Sequence, residues 1–542
     1  MPASKFVDVN EALLSVRDGD VVAVSGFNIA TFPEYLLLKL YERYKRIGHP
    51  RNLFLICDAF PGAPGRGIDF IARDMLERGD FGFIRGLLFP FYGFSEALQK
   101  IILEDLVEAY SWGIGIMAYW FREVGSGRPG VLTRVGLGTI FDPRHEGGAL
   151  NDLARERRSV KVNVIKVNGE EYLLYRAPKP NVAIIRGSTA DELGNLSMED
   201  EAVYGTVLGI AQAAKAMPNK GVVIAQVLRL ARFGSIPPQL VVVPGPLVDY
   251  VVLAPREYHT QTATIDYDPT ISGKVIPPLD TLRPPRIGLD ARKVVARRAL
   301  LELVRIVEEE GRLITINLGV GIPAEISSLI VEERLSDYIH VTVESGPWGG
   351  LALLGPDFGA VRGPYAILSM PDQFTIYEGG IVDAASLGFL QVDEEGNVNP
   401  SMLPGRMPGP GGFPVIAEGA PRLYFTGEFT AGRRDIRIVD GEVKIVSDGE
   451  VRKFVKNVYK ILWNAREGLR RGQKVKYITE RAVFELTPQG LKLVEIAPGI
   501  DVEKHILARM EFKPIIGTIE EMDRDIFRDE PMNLAVKLRK HL

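Results

Sequence analysis

The segment from residue 311 to residue 350 constrains the fold most, because a short apolar strand is followed by a glycine turn and a proline-led helix. Residues 312–316 are predicted to form a buried strand, and Gly319 and Gly321 a tight turn after it. Pro323 suits the first turn of a helix, where its missing N–H has no partner, and this helix is predicted to run to residue 334. The order of elements is typical of an open α/β sheet.

A second predicted strand, residues 338–343, leads directly to Glu344. In open α/β sheets the ligand crevice lies beyond the carboxyl ends of parallel strands, so we expect Glu344 and the glycine turn to open into one site. Taken alone, a glutamate in this place is usually a structural acid that caps a helix or faces solvent. The placement makes Glu344 a candidate nucleophile only if other motifs support it.

The same order of elements occurs near the start of the chain. Residues 18–24 are predicted to form a strand, Gly26 a turn, Pro33 the beginning of a helix, and residues 52–57 a second strand. The two copies lie about 290 residues apart, a spacing that indicates duplicated lobes and not a short-period solenoid. We therefore predict two pseudo-duplicated open α/β lobes with the active site between them.

The length of 542 residues exceeds what one hydrophobic core usually holds. A proline-rich stretch with little periodicity separates the two predicted lobes and precedes a long helical pattern. We predict an N-terminal domain over residues 1–255, a linker over residues 256–288 and a C-terminal domain over residues 289–542 that carries Glu344.

The composition excludes several classes of protein. A net charge of −4 gives no sign of a nucleic-acid binder, and no apolar run approaches the length of a membrane span. One cysteine, Cys57, excludes an intrachain disulfide, and the start of the sequence lacks the pattern of a secretory leader. A cytoplasmic enzyme with a small-molecule substrate fits these features best.

Other chemical signals are weak or absent. The histidines lack metal-ligand spacing, and the chain has neither a GxSxG elbow nor a phosphate-binding P-loop, so no metal site is predicted. Cys57 is the last residue of an apolar strand and is interpreted as a buried small hydrophobe and not as a thiolate. The polar segment 186–191 fits an ionic site and a plain loop equally well.

Two further motifs lie in the second half. The pair Gly396 and Asn397 indicates a hairpin turn within residues 389–402. Three glycines follow in the segment MPGPGGF, and glycine lets backbone amides approach a ligand closely, as phosphate and oxyanion sites require. These are Gly409, Gly411 and Gly412.

Taken together, these motifs resemble class I coenzyme A transferases, most closely the acetate/propionate branch, which exchanges short-chain acyl groups. The resemblance covers nearly the whole chain. It is carried by VTVESGPWGG around Glu344, NLGVGIP at 317–323, QVDEEGNVN at 391–399, GPGGF at 409–413, RPGVLTRVGLGTIFDPR at 128–144, RGSTADELGNLSMEDEAV at 186–203, ERAVFELT at 480–487, EIAPGID at 495–501 and FKP at 512–514.

The resemblance implies an activity and its partners. Such enzymes move coenzyme A from an acyl-CoA to a short-chain carboxylate by a ping-pong mechanism and are commonly homo-oligomers, either dimers or tetramers. No cofactor is implied, because coenzyme A is itself a substrate. By position Glu344 is the nucleophile that forms a glutamyl-CoA thioester. The implied contacts of coenzyme A and of the oxyanions are Gly319, Gly321, Asn399, Gly409, Gly411 and Gly412.

One departure from the family pattern concerns the predicted acyl pocket. The family often has tyrosine-asparagine-leucine-proline-glutamine-glycine where this chain has YSWGIG at residues 110–115, so Ile114 replaces the glutamine expected to face the acyl carbonyl. Losing one oxyanion donor costs roughly 3 kcal/mol in a transition state. Trp112 and Ile114 are therefore predicted to favour a more apolar acyl chain, while weak activity on acetate is an equal alternative.

Two other functions stay open on the sequence. In a thioester hydrolase water would take the place of the acceptor acid, and the motifs discriminate poorly against it. A metabolite-sensing protein with the same lobes is the second alternative, although the chain has no attached helix-turn-helix and a sensor has no use for the glutamate of the ESG motif.

Overall fold

The computed structural model describes residues 4–218, 220–278, 281–282, 284 and 287–539. Each half of the chain is built on one large sheet with helices packed against it. No helix among these residues is long and apolar enough to cross a membrane.

The first sheet has seven strands, and every neighbouring pair is parallel. Their spatial order is β7-β6-β5-β1-β2-β3-β4, so the chain starts in the middle and builds outward in both directions. Both faces are covered, which explains why β2 (LFLIC) is buried at every residue. The strands are β1 (Val21–Val24), β2 (Leu53–Cys57), β3 (Ile84–Leu88), β4 (Glu108–Tyr110), β5 (Val182–Arg186), β6 (Val222–Val227) and β7 (Tyr250–Leu253).

Helices follow these strands and alternate with them along the chain. The main ones are α1 (Glu34–Ile47), α2 (Ile68–Arg78), α3 (Glu96–Leu103), α4 (Ile114–Gly125) and α5 (Val207–Lys215). A three-stranded antiparallel sheet is added outside them by Val131–Thr133, Lys161–Val167 and Glu170–Arg176, and a four-stranded sheet by Thr189–Asp191, Leu196–Ser197, Arg229–Ala231 and Val241–Val243.

The second sheet has ten strands in the order β11-β10-β9-β8-β12-β13-β14-β15-β16-β17. The run from β9 to β14 is parallel. Antiparallel pairing adds β10 and β11 on one side and β15 and β16 on the other, and β17 then pairs in parallel with β16. The elements, in chain order, are α6 (Ala291–Glu310), β8 (Ile314–Leu318), α7 (Ile322–Glu332), β9 (Ile339–Thr342), β10 (Pro347–Trp348), β11 (Ala366–Ile367), α8 (Met370–Glu378), β12 (Ala384–Gly388), α9 (Phe413–Gly419), β13 (Arg422–Thr426), β14 (Lys474–Ile478), β15 (Ala482–Thr487), β16 (Gly490–Ile496) and β17 (Ile515–Glu521).

The parallel cores of the two sheets correspond. In the second lobe the order β9-β8-β12-β13-β14 repeats the order β2-β1-β5-β6-β7 of the first, with the helices α7 and α1 in matching places. The predicted duplication of α/β lobes is confirmed. One strand, β8, is shifted by two residues from its predicted position at 312–316. It begins at Ile314, because Arg312 is exposed and its guanidinium binds Asp383. At its other end it continues to Leu318 beside β12.

The predicted linker is packed against both lobes. The carbonyl of Thr260 accepts from the buried Arg186 of the first lobe at 2.9 Å. Further along, Thr262 donates to Asp357 at 2.7 Å and Asp268 binds Arg362 at 3.0 Å in the second lobe. Residues 279–280, 283 and 285–286 lie outside the described residues. The linker thus acts as a strap between the lobes, and the exact domain limits stay a prediction.

Candidate active site

Glu344 lies at the carboxyl edge of the second sheet, two residues beyond the end of β9. A tight turn follows it, in which Gly346 donates to the carbonyl of Val343 at 2.9 Å. Gly346 has φ 129°, and a Cβ there would overlap the carbonyl oxygen of Leu368, so both the backbone angle and the space require glycine. The glycine of the ESG motif therefore fixes the turn that presents Glu344.

The carboxylate of Glu344 has no polar partner in the part of the chain that the structure describes. Within the described parts of the chain, no residue donates a hydrogen bond to it and no cation lies within ion-pair distance. The residue is partly exposed, yet protein atoms crowd its carboxyl group, and this burial raises the pKa of Glu344 to about 7. Loss of hydration without a compensating donor disfavours the charged form, so the ionised carboxylate is a high-energy and reactive group.

Gly412 forms one wall around this carboxylate. A Cβ on Gly412 would lie 2.6 Å from Cδ of Glu344 and would overlap Oε2. The φ of Gly412 is −79°, an angle that any residue adopts. Glycine is thus required here for space and not for backbone conformation.

The segment that carries Gly412 also joins the two lobes. Gly411 donates to the carbonyl of Pro90 at 3.0 Å and accepts from the amide of Ile114 at 2.9 Å. Tyr92 donates to the carbonyl of Pro408 at 2.7 Å. Glu344 therefore lies where loops of the first lobe meet the second, as the prediction of a site between the lobes requires.

These contacts correct the role expected for Gly411. Its amide already donates to Pro90, so it is not free to stabilise an oxyanion, and the residue instead locks the lobes together. In the described structure the amides of Gly409 and Gly412 have no acceptor and stay available. Gly409, with φ 80°, packs against Pro90, where a Cβ would lie 2.6 Å from the carbonyl oxygen.

The glycine turn after β8 lies at the same edge of the sheet. Gly319 donates to the carbonyl of Ser386 at 2.9 Å, and Gly321 has φ 87° at the start of α7. Val320 between them is 64% exposed, so the tip of the turn faces solvent. The amide of Gly319 is therefore already used, and a contact of this turn with coenzyme A stays a prediction.

Asn399, a predicted contact of coenzyme A, has a side chain that is fully engaged inside the protein, and its contact with coenzyme A stays a prediction. Its side-chain amide donates to Gln391 at 2.9 Å and to the carbonyl of Met402 at 2.6 Å, and its oxygen accepts from the amides of Ser401 and Met402. The residue is fully buried, so all of these groups are satisfied inside the protein. Asn399 holds the turn that leads to the glycine segment.

The two residues of the predicted acyl pocket lie in different surroundings. Trp112 is fully buried and packs edge-on against Trp120 and Tyr175, whose ring centroids are 6.4 and 5.2 Å away. These contacts place it in the aromatic core of the first lobe and give no support to a pocket role. Ile114 opens α4 beside Gly411 and is 3% exposed. Its pocket role stays a prediction.

A polar network under the site was missed from the sequence. The amide of Asn317 donates to the carbonyl of Thr342 and to the hydroxyl of Tyr377, and Tyr377 donates to the hydroxyl of Thr342 at 3.0 Å. Gln373 donates to Tyr377 at 2.7 Å. The side-chain oxygen of Asn317 is buried and has no partner among the described residues. A polar asparagine in an otherwise apolar strand was the signal available in the sequence.

The open question about segment 186–191 is settled in favour of an ionic cluster. Arg186 is buried and pairs with Glu201 at 2.9 Å, and His259 lies 3.1 Å from the same carboxylate. Burial by itself would raise the pKa of Glu201, but Arg186 and His259 outweigh it and lower the pKa to about 2. The cluster ties the linker to the first lobe and is structural.

Two other expectations concern Cys57 and metals. Cys57 is fully buried, and burial raises the pKa of its thiol, which confirms its interpretation as a core residue. No group of three or more histidine, cysteine, aspartate or glutamate side chains that fits a metal ion occurs in the described part of the chain.

Comparisons with known proteins agree with this geometry. Residues 6–254 match a family model described as coenzyme A transferase. The chain is 36% identical to a caffeate CoA-transferase of Acetobacterium woodii, over 97% of this chain and 98% of that protein. It is 36% identical to the acetate CoA-transferase YdiF of Escherichia coli K12, over 93% and 92%. The crystal structure of the acyl-CoA transferase YdiF from E. coli O157:H7 as a thioester complex with CoA superposes with a TM-score of 0.86 at 33% identity, over 98% of this chain and 97% of that one.

Proposed function

Because the chain belongs to the coenzyme A transferase family and is an enzyme that moves coenzyme A between an acyl-CoA and a carboxylic acid, we propose that it works by a ping-pong mechanism through a thioester on Glu344. The observation that carries this proposal is the unpartnered carboxylate of Glu344 at the junction of the lobes. Relatives across nearly the full length are enzymes, so a metabolite sensor is no longer a competing function.

The chemistry follows from the state of Glu344. Its ionised oxygen attacks the carbonyl carbon of the acyl-CoA, the carbon–sulfur bond breaks, and an acyl-glutamyl anhydride and a CoA thiolate result. The thiolate then attacks Cδ of Glu344 and expels the first carboxylate, which leaves a glutamyl-CoA thioester. An incoming carboxylate reverses both steps and departs as the new acyl-CoA. Each intermediate is an activated acyl group, so no ATP is needed.

A partly dehydrated carboxylate suits this sequence. A carboxylate in water is a poor nucleophile, because it must shed its hydration before it attacks. Glu344 has already lost much of that hydration in the folded protein and accepts no hydrogen bond from the described residues, so the fold bears this cost before the substrate binds. The raised pKa also makes the carboxylate a better nucleophile at a pH above 7.

Two backbone amides are the proposed donors to the developing negative charge. Gly412 touches the Glu344 carboxyl group, and the amides of Gly412 and Gly409 have no acceptor within the described chain. Each tetrahedral intermediate carries an oxyanion next to this wall, and backbone donors there are worth several kcal/mol in comparable enzymes. The tip of the turn at Gly321 borders the path of the thioester arm.

The acyl donor and acceptor are proposed as short-chain acids. The relatives are named for caffeate and for acetate, two acids of different size, so the family chemistry tolerates different acyl groups. Ile114 in place of a polar residue favours an apolar acyl chain. We also propose that the enzyme acts in the cytoplasm as a homo-oligomer.

The test is to trap the intermediate. The full-length enzyme is incubated with acyl-CoAs of increasing chain length, reduced with borohydride and digested, and the peptide that contains Glu344 is analysed by mass spectrometry. A CoA adduct, or its reduction product, on Glu344 is expected for every donor that is turned over, and none in Glu344→Gln. Turnover without an adduct overturns the mechanism. Release of free thiol without an acceptor acid, at the rate of turnover, indicates a hydrolase instead.

A further inference from the structure

Lys453 is a buried cation that pairs with no anion among the described residues. It is 7% exposed, and within the described residues its ammonium group makes no hydrogen bond and no ion pair. Its ammonium group lies over the ring of Phe389, whose centroid is 4.0 Å from Nζ. A buried ammonium group is costly unless something compensates its charge, and a single aromatic ring compensates only part of it.

The acids nearest to Lys453 are already engaged. Glu428 binds Arg434 through both carboxylate oxygens, and Glu480 pairs with Arg481 at 2.8 Å and accepts from the amide of Phe429. These acids act on Lys453 only at longer range, and burial lowers the pKa of its ammonium group to about 8. The positive charge of Lys453 therefore remains for a ligand.

The position of the ammonium group indicates which ligand. Phe389 directly follows β12 and Gly427 directly follows β13, and a Cβ on Gly427 would lie 2.9 Å from Nζ. Glycine at this place leaves room for the ammonium group. Both strands are parallel to β8 and β9, so Lys453 lies at the same edge of the sheet as Gly321 and Glu344.

The spacing of the strands sets the separation from Glu344. In the order β9-β8-β12-β13, the ammonium group lies near the ends of β12 and β13, and neighbouring strands are about 4.8 Å apart, so it is roughly 12 Å from the end of β9. In an acyl-CoA the pantetheine arm separates the reacting sulfur from the pyrophosphate, and a slightly folded arm covers a distance of this order. The 3′-phosphate lies further away, beyond the ribose.

We propose that Lys453 binds the pyrophosphate of the acyl-CoA and so anchors the thioester arm along the crevice from Glu344. This inference rests on the proposed function, because it assigns a second contact to the same ligand. Anchoring at a distance is how such an enzyme uses the non-reacting part of its substrate to drive chemistry at the thioester. Nothing in the motif pattern singles out Lys453, since the residue acts through its place in the fold.

The test compares donors of different length in the full-length enzyme and in Lys453→Met, which keeps the shape of the stem and removes the charge. The donors carry the acyl group that the wild-type enzyme uses best, as the acyl-CoA, the acyl-3′-dephospho-CoA and the acyl-pantetheine. We expect Lys453→Met to lower kcat/KM roughly ten- to hundredfold with the first two donors. With acyl-pantetheine, which has no phosphate, the two enzymes should differ less than twofold.

Two controls accompany this comparison. Lys456→Met removes the same charge from an exposed residue three positions away and should leave kcat/KM for the acyl-CoA unchanged. Lys453→Arg keeps a positive charge and should recover part of the loss in kcat/KM. This variant keeps the test decisive if Lys453→Met proves less stable than the wild-type enzyme. An equal loss with acyl-CoA and acyl-pantetheine overturns the proposal, and so does a loss that disappears with the 3′-dephospho donor. Absence of any adduct on Glu344 in the wild-type enzyme is a different result, which overturns the proposed function.

Discussion

The carboxyl group of Glu344 occupies the space that a side chain on Gly412 would need. The two residues are far apart in the chain, and the second one lies in the segment through which Pro90 and Ile114 of the first lobe are bound. The reacting group is therefore held by the junction of the lobes, and its unusual electrostatic state depends on that junction.

Gly412→Ala should abolish most of the activity without unfolding the protein. The added methyl group must displace the Glu344 carboxylate, and displacement of a reacting group by about 1 Å costs on the order of a hundredfold in rate. The measurement is kcat/KM for the acyl-CoA, with the melting temperature as the check on folding. Gly288→Ala is the matched control, because nothing lies within 4 Å of a Cβ there and its activity should be normal.

The rate should depend on the ionisation of Glu344. Burial raises the pKa of this carboxyl group from its ordinary value to about 7, and only the ionised form attacks the thioester. We expect kcat/KM for the acyl-CoA to be constant above pH 8 and to fall about tenfold per pH unit below pH 6. A profile that stays flat down to pH 5 would contradict the assignment.

Removing the charge of Glu344 should stabilise the fold at alkaline pH. Because the pKa is raised in the folded state, the desolvation cost is fully present above pH 7 and absent below the ordinary pKa of the carboxyl group. Glu344→Gln should therefore gain on the order of 1–3 kcal/mol in the free energy of unfolding at pH 8 and little at pH 4.5. Glu77→Gln, at an exposed position on α2, is the control and should show no such pH-dependent gain.

The acyl preference should respond to Ile114. Ile114→Gln restores the amide that the family pattern has at this position, so we expect a rise of about tenfold in kcat/KM for acetyl-CoA relative to hexanoyl-CoA. Ile114→Val, which stays apolar, should keep the wild-type order of preference. An unchanged ratio in Ile114→Gln, or a wild-type enzyme that already prefers acetyl-CoA, would remove the specificity role of this residue.

The buried pair of Arg186 and Glu201 should be needed for stability and not for chemistry. Glu201→Gln leaves the guanidinium of Arg186 buried without its anion, which should cost about 3 kcal/mol in the free energy of unfolding at pH 7. The pKa of Glu201 is lowered in the folded state, so this contribution is present above the ordinary carboxyl pKa and is lost as the pH falls toward 2. Arg256→Met removes an exposed pair with Asp266 and should cost less than about 1 kcal/mol in denaturant unfolding.

Much of the fold follows from local patterns. The apolar strands, the glycine turns and the proline-led helices were predicted within about three residues, because each depends on the conformational preferences of a few adjacent residues. The duplication was visible for the same reason. The hairpin at Gly396 is present between Gln391–Val392 and Val398–Asn399, but its loop is longer than a two-residue turn, because Asp393 accepts hydrogen bonds from the amides of Glu395 and Asn397.

The chemical roles of single residues were harder to predict. Asn399 and Gly411 belong to the motifs, but their polar groups are consumed by partners inside the protein. Lys453 belongs to none of the motifs, and its significance appears only when its distance from every available anion is known. The folded chain determines which polar groups already have hydrogen-bond partners. A sequence motif does not contain this information.

Two acids show the division between sequence and tertiary structure. Asp58 follows β2 and Glu344 follows β9, in corresponding places of the two lobes, so the local pattern alone treats them alike. Asp58 accepts hydrogen bonds from the amides of Gly26 at 3.0 Å and Thr206 at 2.9 Å and is structural, whereas Glu344 has no such donor among the described residues. The sequence determined where each carboxylate lies on its sheet, because strand and turn propensities are local. Tertiary structure decided which one is left without hydrogen-bond donors, because hydration and hydrogen bonding depend on loops that are distant in the chain and close in the fold.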